Sequence, residues 1–258
     1  MHLEARWGTR RPSEQALLPY RRSVHSTDMA ISKRRIAEDY DRFWRDGWNP
    51  SDDWTKLGQK PLRMMALGEI PTHPGLILDL GCGNGLALAQ LRKRHLEAVG
   101  CDISLRALED ARSDGMVVRA DGSRLPFSSK SFGCVLILDA LEHVVEKASL
   151  IRECWRVLGD GGVAIITTPL ARATGGQGDP RQPYDKPTTY SEIISMTTQL
   201  FRLRFARGVI AIRGTGLSWS GLPPAFYLRF PILLEKSNEI LLVLAKQRRV
   251  PPAGLATE

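Results

Sequence analysis

The chain has 258 residues, 43% of them apolar and 25% charged, with a formal net charge of +8 and a pI near 9.6. That length allows one large domain or two small ones, and the apolar share excludes a chain too polar to build a core. The positive charge suits an anionic partner without specifying one, and no run of about 18 apolar residues offers a transmembrane helix.

The basic excess is partly local. Residues 1–35 hold Arg6, Arg10, Arg11, Arg21, Arg22, Lys33, Arg34 and Arg35 against Glu4, Glu14 and Asp28. Residues 1–28 have no hydrophobic period and no secretory-type apolar stretch. Residues 1–35 are therefore expected as a disordered basic tail, with Met29 as a second start. A folded domain is expected over 36–247 and a flexible tail over 248–258. Cys82, Cys101, Cys134 and Cys154 form no CxxC pair, which argues against a zinc or redox motif, and no metal is expected. Free cysteines in apolar runs fit a reducing, cytoplasmic setting.

Residues 36–48 read as an aromatic-rich helix with Tyr40, Phe43 and Trp44, and residues 52–67 as a second helix started or interrupted at Pro61. Then strands and helices alternate. Strands are expected at 76–80, 98–101, 116–119, 132–138 and 163–167, with helices at 84–95, 104–113, 147–158 and 189–199. Two late strands follow at 203–212 and 240–245. Near-continuous apolar strands spaced by helices predict a parallel sheet covered on both faces. The late pair, with no strong helix between, predicts one antiparallel edge.

The stretch from Leu76 to Asp102, "LILDLGCGNGLALAQLRKRHLEAVGCD", joins a strand, a bare glycine turn, a helix and a second strand ending in an acid. Gly81, Gly83 and Gly85 let the backbone approach a ligand without a Cβ in the way. The following helix points free N–H groups at that ligand. Asp102 is placed to take both hydroxyls of a ribose. The spacing is G-x-G-x-G rather than the G-x-G-x-x-G of a pyrophosphate site, and Asp79 before the turn suits a cationic amino group. S-adenosylmethionine carries an amino group, a carboxylate and a ribose, and no pyrophosphate.

Together "LDLGCGNG", "GCDIS", "RADGSRLPFSSKSFGCVLILDALEHV" and "ECWRVLGDGGVAIITTP" resemble the class I S-adenosylmethionine-dependent methyltransferases. The likeness is nearest to the small-molecule group that includes quinone methyltransferases. It spans roughly residues 36–247 and is strongest over 76–169. It implies a Rossmann-like three-layer sandwich with a mainly parallel, seven-stranded sheet. It also implies roles. Asp79 faces the methionine amino group, and Gly81, Gly83 and Gly85 lie against the methionine and ribose. Asp102 binds the ribose hydroxyls, with Ile103 beside the adenine. Asp121 accepts from the adenine amine, with Gly122 next to it. Asp139 and Ala140 reach the methionine end, although Asp139 also reads as a helix N-cap.

The implied reaction is direct methyl displacement onto a small, apolar or lipid-linked acceptor. His143, in "LEHV", is the candidate base, and Tyr184 and Tyr190 in the Gly- and Pro-rich loop 171–192 are candidates to position or deprotonate the acceptor. Packing of that loop accounts for both tyrosines equally well. Residues 214–234 form an apolar insertion whose first fifteen residues, Gly214–Leu228, carry no charge. It fits a cap on an acceptor pocket, a peripheral membrane contact, an oligomer interface or ordinary burial. Two other functions remain open at this point. An RNA methyltransferase would use the basic tail on phosphates, but no RNA-binding module accompanies it. A non-catalytic S-adenosylmethionine-binding protein would need the cofactor motifs alone.

Overall fold

The computed structural model describes residues 32–47, 61–171, 182–211, 225–228, 234, 237 and 239–247. Residues 1–31 of the expected 1–35 tail, the expected tail at 248–258 and most of the 214–234 insertion lie outside the described residues.

The chain opens with α1 (Lys33–Arg42), whose N-cap Ser32 accepts from Arg35 N–H. The helix thus starts inside the segment expected as tail. A π-turn, Phe43–Gly47, continues it, and α2 (Pro61–Gly68) follows. Then come β1 (Ile77–Leu80), α3 (Leu86–Lys93), β2 (Ala98–Asp102), α4 (Leu105–Ala111), β3 (Met116–Arg119) and β4 (Phe132–Leu138). After a single 3-10 turn, Leu141–His143, the chain forms α5 (Lys147–Val157), β5 (Leu158–Pro169), α6 (Tyr190–Thr197), β6 (Phe201–Ala211), β7 (Ala225–Leu228) and β8 (Glu239–Lys246).

The strands lie in the order β3-β2-β1-β4-β5-β8-β6-β7. β1 to β5 pair in parallel. β8 runs antiparallel between β5 and β6, and β7 closes the edge antiparallel to β6. The seven expected strands are present, and β7, inside the apolar insertion, is the eighth.

Burial explains why these runs become inner strands. All four residues of β1 are buried, as are six of the seven in β4. One face packs Leu78, Ile137 and Ile166 against Leu150, Ile151 and Cys154 of α5 and Ile193 of α6. The other packs Ile77, Leu136 and Ile165 against Leu62 and Ala66 of α2 and Leu91 of α3. Helices on both faces make three layers. The order reverses at β1, which has β2 on one side and β4 on the other. A crevice therefore opens beyond the carboxyl ends of these strands.

Candidate cofactor and acceptor site

A cavity of about 190 Å³ occupies that crevice. Its floor comes from the sheet: Asp79 in β1 with Gly81 and Gly83 just after it, Asp102 ending β2 with Ile103 next, Asp121 and Gly122 after β3, and Asp139, Ala140 and His143 after β4. Its roof comes from Lys33, Tyr40 and Trp44 of α1 and the π-turn, with Arg63 of α2 at one side. Gly85 stands behind, as the left-handed cap of α3 (φ 87°).

The glycine turn has no room for side chains. A Cβ on Gly81 would come 2.4 Å from Ala140 Cβ, and one on Gly83 would meet the Trp44 ring at 2.9 Å. Both have positive φ. The chain thereby passes between the β4 loop and the roof and presents bare backbone to the cavity.

Asp79 is 2% exposed, and its Oδ2 is buried with no hydrogen-bond partner among the described residues. Burial, then the charge of Asp102, push its carboxyl up to about 7, against the pull of Arg63. A buried carboxylate with one oxygen uncommitted is matched by an ammonium. Asp102 Oδ2 accepts from Gly83 N–H and Oδ1 from Ser104 N–H, both at 2.9 Å. Burial raises its carboxyl despite these bonds. This acid both faces the cavity and ties the glycine turn to the start of α4. Asp121 Oδ2 pairs with Lys33 Nζ at 2.9 Å, while Oδ1 accepts from Ser123 N–H and Oγ–H, also at 2.9 Å. Burial opposes ionisation here, but the Lys33 and Ser123 hydrogen bonds win and the carboxyl is lowered.

Asp139 does not cap a helix. It sits at φ 51°, and its Oδ2 pairs with Arg63 Nε at 2.6 Å while Oδ1 accepts from Thr167 Oγ1 at 2.8 Å. The pair is buried, with side chains 11% and 0% exposed. His143 lines the cavity, and its carbonyl accepts from Tyr40 Oη at 3.2 Å.

The two tyrosines singled out in the sequence do not line the cavity. Tyr184 Oη donates to Asp39 Oδ2 at 2.7 Å, which ties the loop after β5 to α1. Tyr190 opens α6 and packs on the core. Sequence reasoning also missed contributors: Lys33, inside the supposed tail, and Arg63, in a helix to which it gave no role. The aromatic spacing of residues 36–48 was the one available signal for the roof.

A nucleoside-sized crevice at the switch point, with an acid in β1, at the end of β2 and just after β3, defines a Rossmann-like nucleoside-binding fold. Residues 78–166 match the family model described as a methyltransferase domain. Over this segment, about a third of its length, the chain is similar to methyltransferase domains. It is 30% identical over 155 residues to the ubiquinone biosynthesis O-methyltransferase of Hahella chejuensis, covering 56% of this chain and 63% of the relative. It is 33% identical over 139 residues to the demethylmenaquinone methyltransferase of Thermotoga maritima, covering 51% and 57%. The alignments thus span about three fifths of the curated relatives' length. Among solved structures, it is similar to an S-adenosylmethionine-dependent methyltransferase of Thermotoga maritima described as a possible histamine N-methyltransferase. There the TM-score is 0.65 at 15% identity, over 82% of this chain and 100% of that one. No helix among the described residues is long and apolar enough to cross a membrane.

The cavity fits S-adenosylmethionine on two counts. Asp79 Oδ2 is an unmet acceptor for the amino group, and the turn at Gly81 and Gly83 leaves a cradle that a Cβ would fill.

Proposed function

We propose that this protein methylates a small, largely apolar acceptor of quinone-like class. The observation that carries the reading is the buried, uncommitted Asp79 oxygen in a cavity that also reaches His143. The names of the relatives support the acceptor class, since they concern ubiquinone and menaquinone biosynthesis. When bound, S-adenosylmethionine supplies a methyl group already activated by its sulfonium.

The chain's own residues do the rest. Asp79 holds the amino group, and Arg63, beside Asp139, holds the carboxylate. Asp102 and Ile103 take the ribose and its junction with the base, and Asp121 and Gly122 take the adenine. The roof of Tyr40, Phe43 and Trp44 excludes water. His143 accepts the proton of a hydroxyl or amine acceptor, a role worth about 10²–10⁴ in rate. Holding the acceptor in line contributes more, on the order of 7–11 kcal/mol. The 214–234 insertion has Trp219, Phe226, Tyr227 and Phe230 in its sequence, a composition that suits an apolar acceptor.

The test is a two-stage assay. Calorimetry should show S-adenosylhomocysteine binding and no NAD binding. Cell extracts incubated with the protein and methyl-labelled cofactor should then carry label in the organic-soluble fraction. Label in tRNA or rRNA instead would establish the RNA reading, and cofactor binding with no labelled product in any fraction would establish a non-catalytic binder.

A further inference from the structure

His143 stands between two carboxylates from different parts of the chain. Its Nε2 lies 3.8 Å from Glu142 Oε1, and its Nδ1 lies 3.9 Å from Asp185 Oδ1. Both acids are buried, their side chains 1% and 8% exposed, against 17% for the imidazole. Glu142 belongs to the 3-10 turn after β4, and its Oε2 accepts from Thr168 Oγ1 of β5 at 3.0 Å. Asp185 comes from the loop after β5. Lys186 N–H donates to Glu142 O at 3.0 Å and holds that loop against the turn, and Tyr40 Oη of α1 lies 2.7 Å from Pro183 O of the loop and 3.2 Å from His143 O of the turn.

We propose that Asp185 and Glu142 are positioning residues that clamp the His143 imidazole and retain, as a buried ion pair, the proton it takes from the acceptor. This inference rests on the methyl transfer proposed above. In the step, the acceptor's O–H bond breaks and its proton passes to the lone pair of the unprotonated ring nitrogen of His143, the other ring nitrogen keeping the hydrogen it already carries. The oxygen keeps that electron pair and forms the new bond to the methyl carbon, whose bond to sulfur breaks with its pair left on sulfur. The imidazolium so formed lies between two negative charges, where it is stabilised. Burial of the ring favours its neutral form and the two carboxylates favour its protonated form; the clamp requires that the carboxylates prevail.

The other charged and titratable groups around it modulate this effect without replacing it. Lys147 of α5 donates to the carbonyls of Glu142 and Val144, and Lys186 adjoins Asp185. Both are cations that temper the carboxylates. Tyr40 meets the imidazole edge-on, with ring centroids 6.3 Å apart. Burial, then Asp102, Glu142 and Asp185, push its hydroxyl far up, so it stays neutral.

The test titrates His143 by NMR in the full chain with histidine labelled at its ring nitrogens and carbons, and needs no acceptor. The chain has five histidines, and His143→Gln assigns the signal. We expect His143 to titrate above the ordinary value of about 6.5, and Asp185→Asn to lower its midpoint by about one pH unit. Glu142→Gln is the second arm and should lower it likewise. A midpoint at or below the ordinary value, or one unmoved in both variants, overturns the clamp. Failure of the parent protein to bind S-adenosylhomocysteine would overturn the methyl-transfer reading separately, whatever the titration shows.

Discussion

Replacing Asp79 by Asn should make the protein more stable above neutral pH while weakening its hold on the cofactor. In the native state burial and the neighbouring Asp102 raise the Asp79 carboxyl from its ordinary 3.8 to about 7. In the unfolded chain it ionises at its ordinary value. The native state therefore keeps a proton that the unfolded state releases. The favourable contribution is intact below pH ~3.8, declines as pH rises to about 7, and changes no further above that. The gap of roughly three units corresponds to about 4 kcal/mol at its upper limit. Asn keeps the shape and removes the ionisation. Its advantage should grow by about 2.7 kcal/mol between pH 5 and pH 8, since two of those units lie in that interval. For a domain of this size that is a difference of roughly 5–10 °C in Tm gain. Thermal melting at both pH values measures it. Calorimetry at pH 8 should show S-adenosylhomocysteine bound about 10- to 100-fold more weakly, the loss of one charge-assisted hydrogen bond. An equal Tm change at both pH values, or undiminished binding, would refute the reasoning.

Asp102→Ala should weaken S-adenosylhomocysteine binding by about 2–4 kcal/mol, read by calorimetry. It should also lower stability in urea, because the Gly83 and Ser104 N–H groups lose their acceptor. Each orphaned donor costs about 1–3 kcal/mol. Affinity within twofold of the parent would show that Asp102 does not carry the ribose. Arg63→Met should destabilise by roughly 3–5 kcal/mol, because Asp139 would keep a buried charge without its cation. Arg63→Lys should recover part of that loss, and a urea midpoint for Arg63→Met equal to the parent's would sink the account.

Much of this site was legible because its parts are local. The apolar runs of β1 and β4 need both faces covered, so they announce inner strands of a parallel sheet. The glycines after β1 and the acid ending β2 lie at fixed short offsets from those strands, so Asp79 and Asp102 could be read directly. What failed was whatever depends on distant pairing. Arg63 meets Asp139 across 76 positions, and Lys33 reaches the loop carrying Asp121 from about 90 positions away. No local period carries such contacts. Asp139 looked like a cap because the residue type suits one, but positive φ and the Arg63 pair give it another place. Nothing near Tyr184 or Tyr190 in sequence could tell that one turns to α1 and the other to the core. Nor does the apolar pattern of β8 reveal that it inserts between β5 and β6.

The roof helix is where these distant ties converge. α1 buries only Ile36 and Ala37, so apolar packing alone holds it weakly. Its polar side chains reach each loop at the mouth of the cavity. Lys33 pairs with Asp121 and Glu146. Asp41 accepts from Ser104 Oγ and Arg106 N–H and pairs with Arg119. Asp39 accepts from Tyr184, and Tyr40 reaches the carbonyls of His143 and Pro183. The exposed ion pairs among these are worth at most about 1 kcal/mol each. The Tyr40 hydroxyl is more enclosed, and removing it leaves partly buried carbonyls short of a donor. Tyr40→Phe should therefore cost about 1 kcal/mol and act mainly on the roof, speeding S-adenosylhomocysteine dissociation about fivefold by the same energy. Stopped-flow fluorescence can follow that rate, because Trp44 lies against the Gly83 backbone. A dissociation rate equal to the parent's, with stability lowered by the same 1 kcal/mol, would mean that Tyr40 holds the fold together and does not close the cavity.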